Sequence, residues 1–221
     1  MSEQVKYGIV GASGRLGSEV QNVFSDNNYE LVFSYDIAGE TRKGKPELLI
    51  DCSLPEVFPK TVNYAKEFNI PLIVATTGLS DENISELRRL SQKIPIVQSY
   101  NYSTGIQILL KLTELANEKT KDWDVEISET HHRFKKDKPS GTAKMIKSIF
   151  KDKDVNTSSF RLGDVFGEHT ISFASLGEVL SIKHSATSRR TFAEGILKSA
   201  EFLRTKGEGF YSFTEVIFNK Q

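Results

Sequence analysis

The first part of the chain alternates between two hydrophobic periods. Residues 5–10 form a short β-rich run that is followed by a glycine, and apolar residues then recur at helical spacing in Leu16, Val20, Val23 and Phe24. A second β-rich run, residues 31–35, closes on Asp36. The segment therefore predicts a βαβ unit, whose usual length is about 30 residues.

Three further apolar runs, residues 48–50, 72–75 and 94–97, have the length and composition of buried parallel strands. Helical patterns separate these runs, one beginning after Pro55 and one marked by Ile84, Leu87 and Leu90. Strands that alternate with helices in this way predict an α/β fold with a doubly wound parallel sheet of the Rossmann type.

The pattern changes after Tyr102. Residues 106–119 predict a long helix, whose apolar stripe consists of Ile108, Leu109, Leu112, Leu115 and Ala116. Residues 123–130 alternate as a half-buried strand does, and residues 170–175 and 179–184 predict an antiparallel hairpin. These elements predict a second, smaller α+β domain that contains a mixed sheet.

We expect the first domain to be discontinuous in sequence. A last helical pattern spans residues 192–203, and it is suited to return to the Rossmann sheet. We therefore assign residues 1–103 and 191–221 to the first domain, and residues 104–190 to the second.

Charge and cysteine content narrow the function classes. The 221 residues contain 29 Lys and Arg against 29 Asp and Glu, so no global field attracts nucleic acid or an anionic membrane. The single cysteine, Cys52, cannot form an intramolecular disulfide and fits a reducing compartment. Neither a signal-peptide run nor a stretch of about 20 apolar residues is present. We expect a cytoplasmic protein that binds neither nucleic acid nor membrane.

A glycine-rich loop lies between the first predicted strand and helix. Residues 11–17 read Gly-Ala-Ser-Gly-Arg-Leu-Gly, which matches G-x-x-G-x-x-G, a variant of the dinucleotide fingerprint. Glycines let the backbone approach a pyrophosphate, and the N–H groups of the helix start favour its negative charge. The alternative is a tight turn without a ligand, but the βαβ context favours cofactor binding.

Asp36 follows Gly17 by 19 positions, where a carboxylate would accept hydrogen bonds from the adenosine ribose. Such a carboxylate favours NADH because it would repel a 2′-phosphate. Arg42, Lys43 and Lys45 in the following loop could partly offset that repulsion, so NADPH stays open as an alternative. A solvated turn aspartate is a further alternative.

The segment 129–143 carries the densest chemistry in the chain. Two of the four histidines and three lysines lie within eight positions, 131–138. Pro139 interrupts regular structure, and Ser140 or Thr142 can cap a helix over residues 143–150. A carboxylate at that helix start would meet N–H groups near Gly141 and Thr142.

Proton transfer is the other chemistry that this segment suggests. Histidine moves protons near neutral pH, and a lysine beside other cations can donate one. If the chain is extended at His131 and His132, their side chains point to opposite faces and should have different roles. The alternative is a solvated basic loop.

The two motifs together resemble the dihydrodipicolinate reductase family, also called 4-hydroxy-tetrahydrodipicolinate reductase, of bacterial lysine and diaminopimelate biosynthesis. The resemblance rests on residues 11–17, 75–78, 99–103, 129–143, 163–169 and 188–192. The stretch from His131 to Ala143 is highly specific, whereas many dehydrogenases share the glycine loop.

The resemblance implies reduction of 4-hydroxy-tetrahydrodipicolinate to tetrahydrodipicolinate, with hydride from NAD(P)H and loss of water. It implies His131 as the acid/base residue and Lys135 as the proton donor, and it implies no metal. Substrate-binding residues would be His132, Ser140, Gly141 and Thr142. Cofactor-binding residues would be Gly11, Ala12, Ser13, Gly14, Arg15, Leu16, Asp36, Ala75, Thr76, Thr77, Ser99, Tyr100, Asn101 and Tyr102.

The family also implies a division of labour and an assembly. The first domain would bind the dinucleotide, and the second would bind a small dicarboxylate and build a homotetramer. Ser13, Leu16, Ala75 and Lys138 depart from the residues usual in the family, but no proposed catalytic group is missing. The matching Arg189 has an open role.

Three alternatives from other classes remain. A thiol-dependent aldehyde dehydrogenase would use Cys52 as its nucleophile, but no histidine is paired with it in sequence. A zinc enzyme would use His131 and His132, but further ligands are not recognisable. A nucleotide sensor would bind NADH without turnover and would have no need for the basic segment.

Overall fold

The protein is described from a computed structural model, which describes residues 4–218. The chain divides into two compact units. Unit 1 comprises residues 1–102 and 189–221, and unit 2 comprises residues 103–188.

Unit 1 is built on a seven-stranded sheet, flanked by helices. The strands are β1 (Val5–Val10), β2 (Tyr29–Asp36), β3 (Gly39–Arg42), β4 (Leu48–Asp51), β5 (Leu72–Val74), β6 (Pro95–Gln98) and β11 (Gly209–Ser212). The helices are α1 (Arg15–Ser25), α2 (Phe58–Phe68, after a 3₁₀ turn Pro55–Val57), α3 (Asp81–Leu90), α6 (Arg190–Leu203) and α7 (Phe213–Phe218). The strand order is β11-β6-β5-β4-β1-β2-β3, and only the β2–β3 pair is antiparallel. This topology confirms the predicted doubly wound Rossmann sheet.

The central strands are hydrophobic without alternation because both of their faces are covered. In β4, Leu48 and Ile50 belong to the core that contains residues of α1 and α6, whereas Leu49 belongs to the core that contains residues of α2 and α3. All four residues of β4 are buried, and the last of them is a carboxylic acid, Asp51.

Unit 2 contains a smaller, mixed sheet. Its strands are β7 (Asp124–His131), β8 (Asn156–Arg161), β9 (Glu168–Ala174) and β10 (Val179–Ser185), and its helices are α4 (Thr104–Lys119) and α5 (Gly141–Lys147). The order is β10-β9-β7-β8, with β7 parallel to β8 and the other pairs antiparallel. The predicted mixed α+β unit and its β9–β10 hairpin are therefore confirmed.

The apolar stripe predicted on α4 is partly wrong. Leu109 and Ala116 are buried, as expected, but Ile108, Leu112 and Leu115 are 46%, 46% and 55% exposed. The packed face of this helix instead includes Ile106, Thr113 and Leu109, because the helix meets the sheet one position away from the phase that the sequence suggested.

Three strands were not predicted from the hydrophobic pattern. β3 is polar and fully exposed, β8 reads Asn-Thr-Ser-Ser-Phe-Arg, and β11 has four residues. These segments form strands because they pair with neighbouring strands, and their own sequences carry no hydrophobic strand pattern. Among residues 4–218, no helix is both long and apolar enough to cross a membrane.

Candidate active site

In unit 1 the candidate cofactor residues follow the carboxyl ends of parallel strands. β1 lies between β2 and β4, so the strand order reverses there, and such a switch point is where open α/β sheets bind ligands. Loops 11–14, 75–77 and 99–102 follow β1, β5 and β6 at this edge. The structure thus gathers the predicted cofactor residues along one edge, with Asp36 at the end of neighbouring β2.

The glycine loop has the tight backbone that a dinucleotide requires. Gly11 has φ of +87°, and a β-carbon there would lie 2.7 Å from the carbonyl oxygen of Cys52. A β-carbon at Gly17 would lie only 2.2 Å from the Gly11 carbonyl oxygen, so α1 packs directly on the loop. Gly14 is the N-cap of α1, while Ser13 and Arg15 are exposed. These residues fit a bound pyrophosphate, since side chains are absent where the backbone must close up.

A partly buried hydrogen-bond network joins the loops after β4 and β5. Asp51 accepts hydrogen bonds from the backbone N–H of Ser53 at 3.0 Å and from its hydroxyl at 2.5 Å. The same Ser53 N–H also donates to the hydroxyl of Thr76 at 3.1 Å. Thr76 is buried and Thr77 is exposed, so only the second offers its side chain to a ligand.

The loop after β6 is anchored by its own side chains. Ser99 donates from its hydroxyl to the Asn101 carbonyl at 2.9 Å. The buried Tyr102 donates from its hydroxyl to the carbonyl of Val74 at 2.9 Å. Tyr100 is 42% exposed. Ser99 and Tyr102 therefore shape this loop, and Tyr100 is the side chain left open to solvent.

Asp36 is the last residue of β2, directly before the tight turn that leads to β3. Its carboxylate accepts a hydrogen bond from the Ala38 N–H at 2.8 Å. Arg42, at the end of β3, donates to both carboxylate oxygens of Glu67, at 2.6 and 3.2 Å, and also pairs with Glu40. The guanidinium group is thus already neutralised by two carboxylates.

In unit 2, strand alternation puts a carboxylate beside the predicted acid/base residue. Ile127, Glu129 and His131 are the buried positions of β7, so they share one face of the strand. The Nδ1 atom of His131 is hydrogen-bonded to the Glu129 carboxylate. Glu129 is 1% and His131 8% exposed. The pair is therefore largely removed from water.

Arg161, on the neighbouring strand β8, binds the carboxylate of this pair. It donates from Nη1 to Oε2 and from Nη2 to Oε1 of Glu129, both at 2.9 Å. Burial alone would raise the pKa of Glu129, but the bonds from Arg161 and His131 outweigh that effect and lower it to about 2. Glu129 is thus a buried carboxylate that stays charged.

His131 has a second histidine as its neighbour. The ring of His169, on β9, stands edge-on to the His131 ring with centroids 5.1 Å apart, and its Nε2 lies 3.2 Å from the Ser140 hydroxyl. Burial and the nearby His131 lower the pKa of His169 to about 3. Burial lowers the pKa of His131 too, although Glu129 partly opposes that effect. Both rings are therefore neutral at pH 7.

Lys135 lies in the turn after β7. Its ammonium group is 2.8 Å from the Asp137 carboxylate, and its backbone N–H donates to the His132 carbonyl at 3.1 Å. Arg161 donates from Nε to the carbonyl of Lys135 at 3.2 Å and from Nη2 to that of Asp137 at 2.5 Å. One arginine thus contacts both the carboxylate beside His131 and the loop that carries Lys135.

The predicted helix cap is at Ser140. Its hydroxyl accepts a hydrogen bond from the Ala143 N–H at 3.1 Å, and its own N–H donates to Glu129 at 3.3 Å. The helix that follows spans Gly141–Lys147, shorter and earlier than the predicted 143–150. Thr142 is buried. The Ser140-Gly141-Thr142 segment is therefore tied to the same carboxylate as His131.

Two family models match consecutive parts of the chain. The family model described as dihydrodipicolinate reductase, C-terminus, matches residues 105–217, and the one described as dihydrodipicolinate reductase, N-terminus, matches residues 40–102. A 4-hydroxy-tetrahydrodipicolinate reductase of Thermosipho africanus is 41% identical over 213 residues, covering 96% of this chain and 98% of that protein. The chain belongs to the dihydrodipicolinate reductase family.

Two further comparisons extend this result. A 4-hydroxy-tetrahydrodipicolinate reductase of Campylobacter jejuni is 33% identical over 239 residues, covering 96% of this chain and 99% of that protein. The dipicolinate-bound dihydrodipicolinate reductase of Paenisporosarcina sp. TG-14 superimposes with a TM-score of 0.75 at 21% identity, covering 95% and 97% of the two chains. This second likeness shows the fold. Members of this family are oxidoreductases that depend on a pyridine nucleotide.

Sequence reasoning about this reductase missed three residues. Glu129 received no role, although two-residue alternation from Ile127 placed it on the face of His131. His169 ended the stretch 163–169 that carried the family resemblance, but it received no role. Arg161 lies in the unpredicted strand β8, where no pattern could have brought it to Glu129. The register of β8 along β7, which pairs Arg161 with His131, is information that only the structure supplies.

The two rival enzyme classes receive no support from this reductase fold. Burial raises the pKa of the Cys52 thiol, which disfavours the thiolate that a nucleophile needs. Within residues 4–218, no group of three or more His, Cys, Asp and Glu side chains is arranged to hold a metal ion. His131 directs one ring nitrogen to Glu129 instead.

Proposed function

We propose that this chain reduces 4-hydroxy-tetrahydrodipicolinate to tetrahydrodipicolinate, with loss of water, in lysine and diaminopimelate biosynthesis. The observation that carries the proposal is the buried Glu129–His131 pair next to the Lys135 turn and the Ser140 cap, in a chain of this family. These are the groups that a proton transfer and a bound carboxylate require.

The substrate is a dicarboxylate, and the proposed binding groups suit its charge. His132, Ser140, Gly141 and Thr142 would bind its carboxylates, with Lys135 adding positive charge nearby. The relative from Paenisporosarcina has dipicolinate bound, which is itself a dicarboxylate. Because Glu129 is neutralised by Arg161, the buried carboxylate does not leave a net negative charge beside the bound acid.

Proton transfer is assigned to His131 and Lys135. Loss of the 4-hydroxyl group as water leaves a conjugated imine, and electrons moving towards the ring nitrogen then require a proton. Lys135 would supply that proton, while His131 acts as the acid/base residue. A pyridine nucleotide bound by unit 1 would supply the hydride that adds to C4 and displaces those electrons towards the ring nitrogen.

We propose NADH as the preferred nucleotide, held by the glycine loop, Asp36 and the loops 75–77 and 99–102. The carboxylate of Asp36 would accept bonds from a ribose and repel a 2′-phosphate. Arg42, which could have attracted that phosphate, is engaged by Glu40 and Glu67. This engagement favours NADH over NADPH.

We further propose that unit 1 binds the nucleotide, and that unit 2 binds the substrate and forms a homotetramer. One face of the unit 2 sheet carries mainly hydroxyl side chains, among them Ser128, Thr130, Thr170 and Ser172, together with the 48% exposed Phe160. Such a face suits contact with another copy. The biosynthetic family and the single cysteine suit a cytoplasmic enzyme.

The test is an absorbance assay in which the substrate is generated in situ and oxidation of NADH is followed. We expect turnover by the wild type, and a loss of about 100-fold or more in His131→Gln and Lys135→Ala, the range for removing an acid/base group. Lys136→Ala is the matched control, since this neighbouring lysine is exposed. If the wild type binds NADH without turnover, the chain is a nucleotide sensor and the proposed reaction is wrong.

A further inference from the structure

We propose that Arg161 and Glu129 are positioning residues, which fix the ring orientation and protonation of His131 and hold the loop that carries Lys135. The proposal rests on the function proposed above for His131 and Lys135. Its basis is the set of hydrogen bonds that converge on the Arg161 guanidinium group.

Arg161 is the centre of this network. Its three nitrogens donate to both oxygens of Glu129, to the carbonyl of Lys135 and to the carbonyl of Asp137. Its side chain is 10% exposed and that of Glu129 0%. A lysine would keep the charge, but its single ammonium group cannot span these acceptors in one plane. The planar fork is therefore required if the strand and the loop are to be held together.

Glu129 decides which nitrogen of His131 carries the proton. A carboxylate only accepts, so the ring Nδ1 that faces it must be the donor. The other nitrogen, Nε2, is then the acceptor in the neutral ring and the position where a second proton is gained. The pair fixes the tautomer that an acid/base residue at this position would need.

The charges around His131 come from four elements. Glu129 on β7 favours the protonated ring. Arg161 on β8 and Lys135 in the loop after β7 disfavour it. Asp137 neutralises part of the Lys135 charge. His169 on β9 is held neutral by burial and contributes no charge at neutral pH. Removing the carboxylate and removing the guanidinium should therefore move the titration of His131 in opposite directions.

The experiment is a pH titration of the histidine ring signals by NMR, on the full chain labelled with ¹³C-histidine, with His131 assigned by its loss in His131→Gln. We expect Glu129→Gln to move the His131 midpoint down and Arg161→Gln to move it up, each by about 1 to 3 pH units, the effect of a neighbouring charge. Arg161→Lys should leave the midpoint near that of the wild type.

Turnover then separates charge from geometry. Arg161→Lys keeps the charge, but the Lys135 loop loses its donors, so kcat should fall at least tenfold while the pH midpoint stays. Glu114→Gln, which breaks the exposed Lys111–Glu114 pair of α4, is the matched control and should change neither quantity.

The proposal is overturned if Glu129→Gln and Arg161→Gln shift the His131 midpoint in the same direction or leave it unchanged. If Glu129→Gln does not fold, the Arg161→Gln and Arg161→Lys titrations decide, because one must move the midpoint and the other must not. NMR needs no turnover, so a chain that is inactive on the proposed substrate would still give an answer here.

Discussion

Two buried carboxyl groups occupy similar places in the two units and behave in opposite ways. Asp51 is the last residue of β4, and Glu129 lies two residues before the end of β7. Burial raises the pKa of Asp51, which is hydrogen-bonded to Ser53, and among residues 4–218 no ion pair reaches it. The pKa of Glu129 is lowered to about 2, since the bonds from Arg161 and His131 together outweigh the effect of burial.

The difference separates two ways of building a binding edge. In unit 1 the loops are shaped by close backbone contact at Gly11 and Gly17 and by hydrogen bonds to Asp51 that involve no ion pair among residues 4–218. In unit 2 the buried carboxylate of Glu129 is compensated by Arg161, and the proposed proton-transfer residue His131 is hydrogen-bonded to it. A nucleotide phosphate suits the first kind of edge, and a proton transfer suits the second.

The largest effect is expected from Glu129→Gln, which leaves Arg161 buried without its counter-charge. The pKa in the fold, about 2, lies below the ordinary value of 4.5, so the carboxylate stabilises the fold above pH 4.5 and that contribution is lost as the pH falls towards 2. We expect a loss of about 3 kcal/mol at pH 7, measured by urea denaturation. The gap to the wild type should narrow at pH 3. A gap that widens with acid would contradict this assignment.

Gly17→Ala should disrupt the glycine loop of unit 1 through a steric clash alone. The added methyl group would meet the Gly11 carbonyl oxygen, 2.2 Å from the β-carbon position, and neither backbone can move without shifting α1. We expect a cost of about 1 to 3 kcal/mol in stability and a clearly weaker affinity for NADH, measured by fluorescence titration. Gly207→Ala is the matched control, since its β-carbon position is open. Equal NADH affinity in both variants would speak against the loop as the nucleotide site.

Cofactor preference offers a smaller effect. Asp36→Ser removes the carboxylate that would repel a 2′-phosphate, and we expect the ratio of kcat/KM for NADH to that for NADPH to fall about tenfold, or about 1.4 kcal/mol. Arg42→Ala should leave the ratio unchanged, because Glu40 and Glu67 already occupy the guanidinium group. If Arg42→Ala instead abolished use of NADPH, the loop would be a phosphate site.

The smallest effect is expected from Asp51→Asn, and its pH dependence has the opposite sign to that of Glu129. A raised pKa in the fold means that Asp51 stabilises the protein below pH 3.8 and loses that contribution as the pH rises. The neutral amide should therefore be as stable as the wild type, or more so by under about 1 kcal/mol, at pH 8. Thermal denaturation at pH 4 and pH 8 checks this. A large destabilisation at pH 8 would mean that Asp51 is held as a charged group.

The same contrast explains what the sequence could reveal. Elements of unit 1 were predictable because buried parallel strands and a glycine loop are local signals, readable at Gly11 or over residues 48–50. His131, Lys135 and the Ser140 cap were also found, since they are close together in one segment. Arg161 was not, because its function depends on a strand pairing across 32 residues to Glu129. The strand β3 was not predicted for a related reason, since its four exposed residues carry no hydrophobic pattern.

The reduction itself can be tested by following the transferred atom. NADH carrying deuterium at the transferable position would be supplied with substrate generated in situ, and the product would be analysed by mass spectrometry and NMR. We predict one deuterium per product molecule, located at C4 of the ring, and about 100-fold less labelled product in the same time when His131→Gln replaces the wild type. Product without deuterium at C4, or oxidation of NADH without any labelled product, would contradict the proposed reaction.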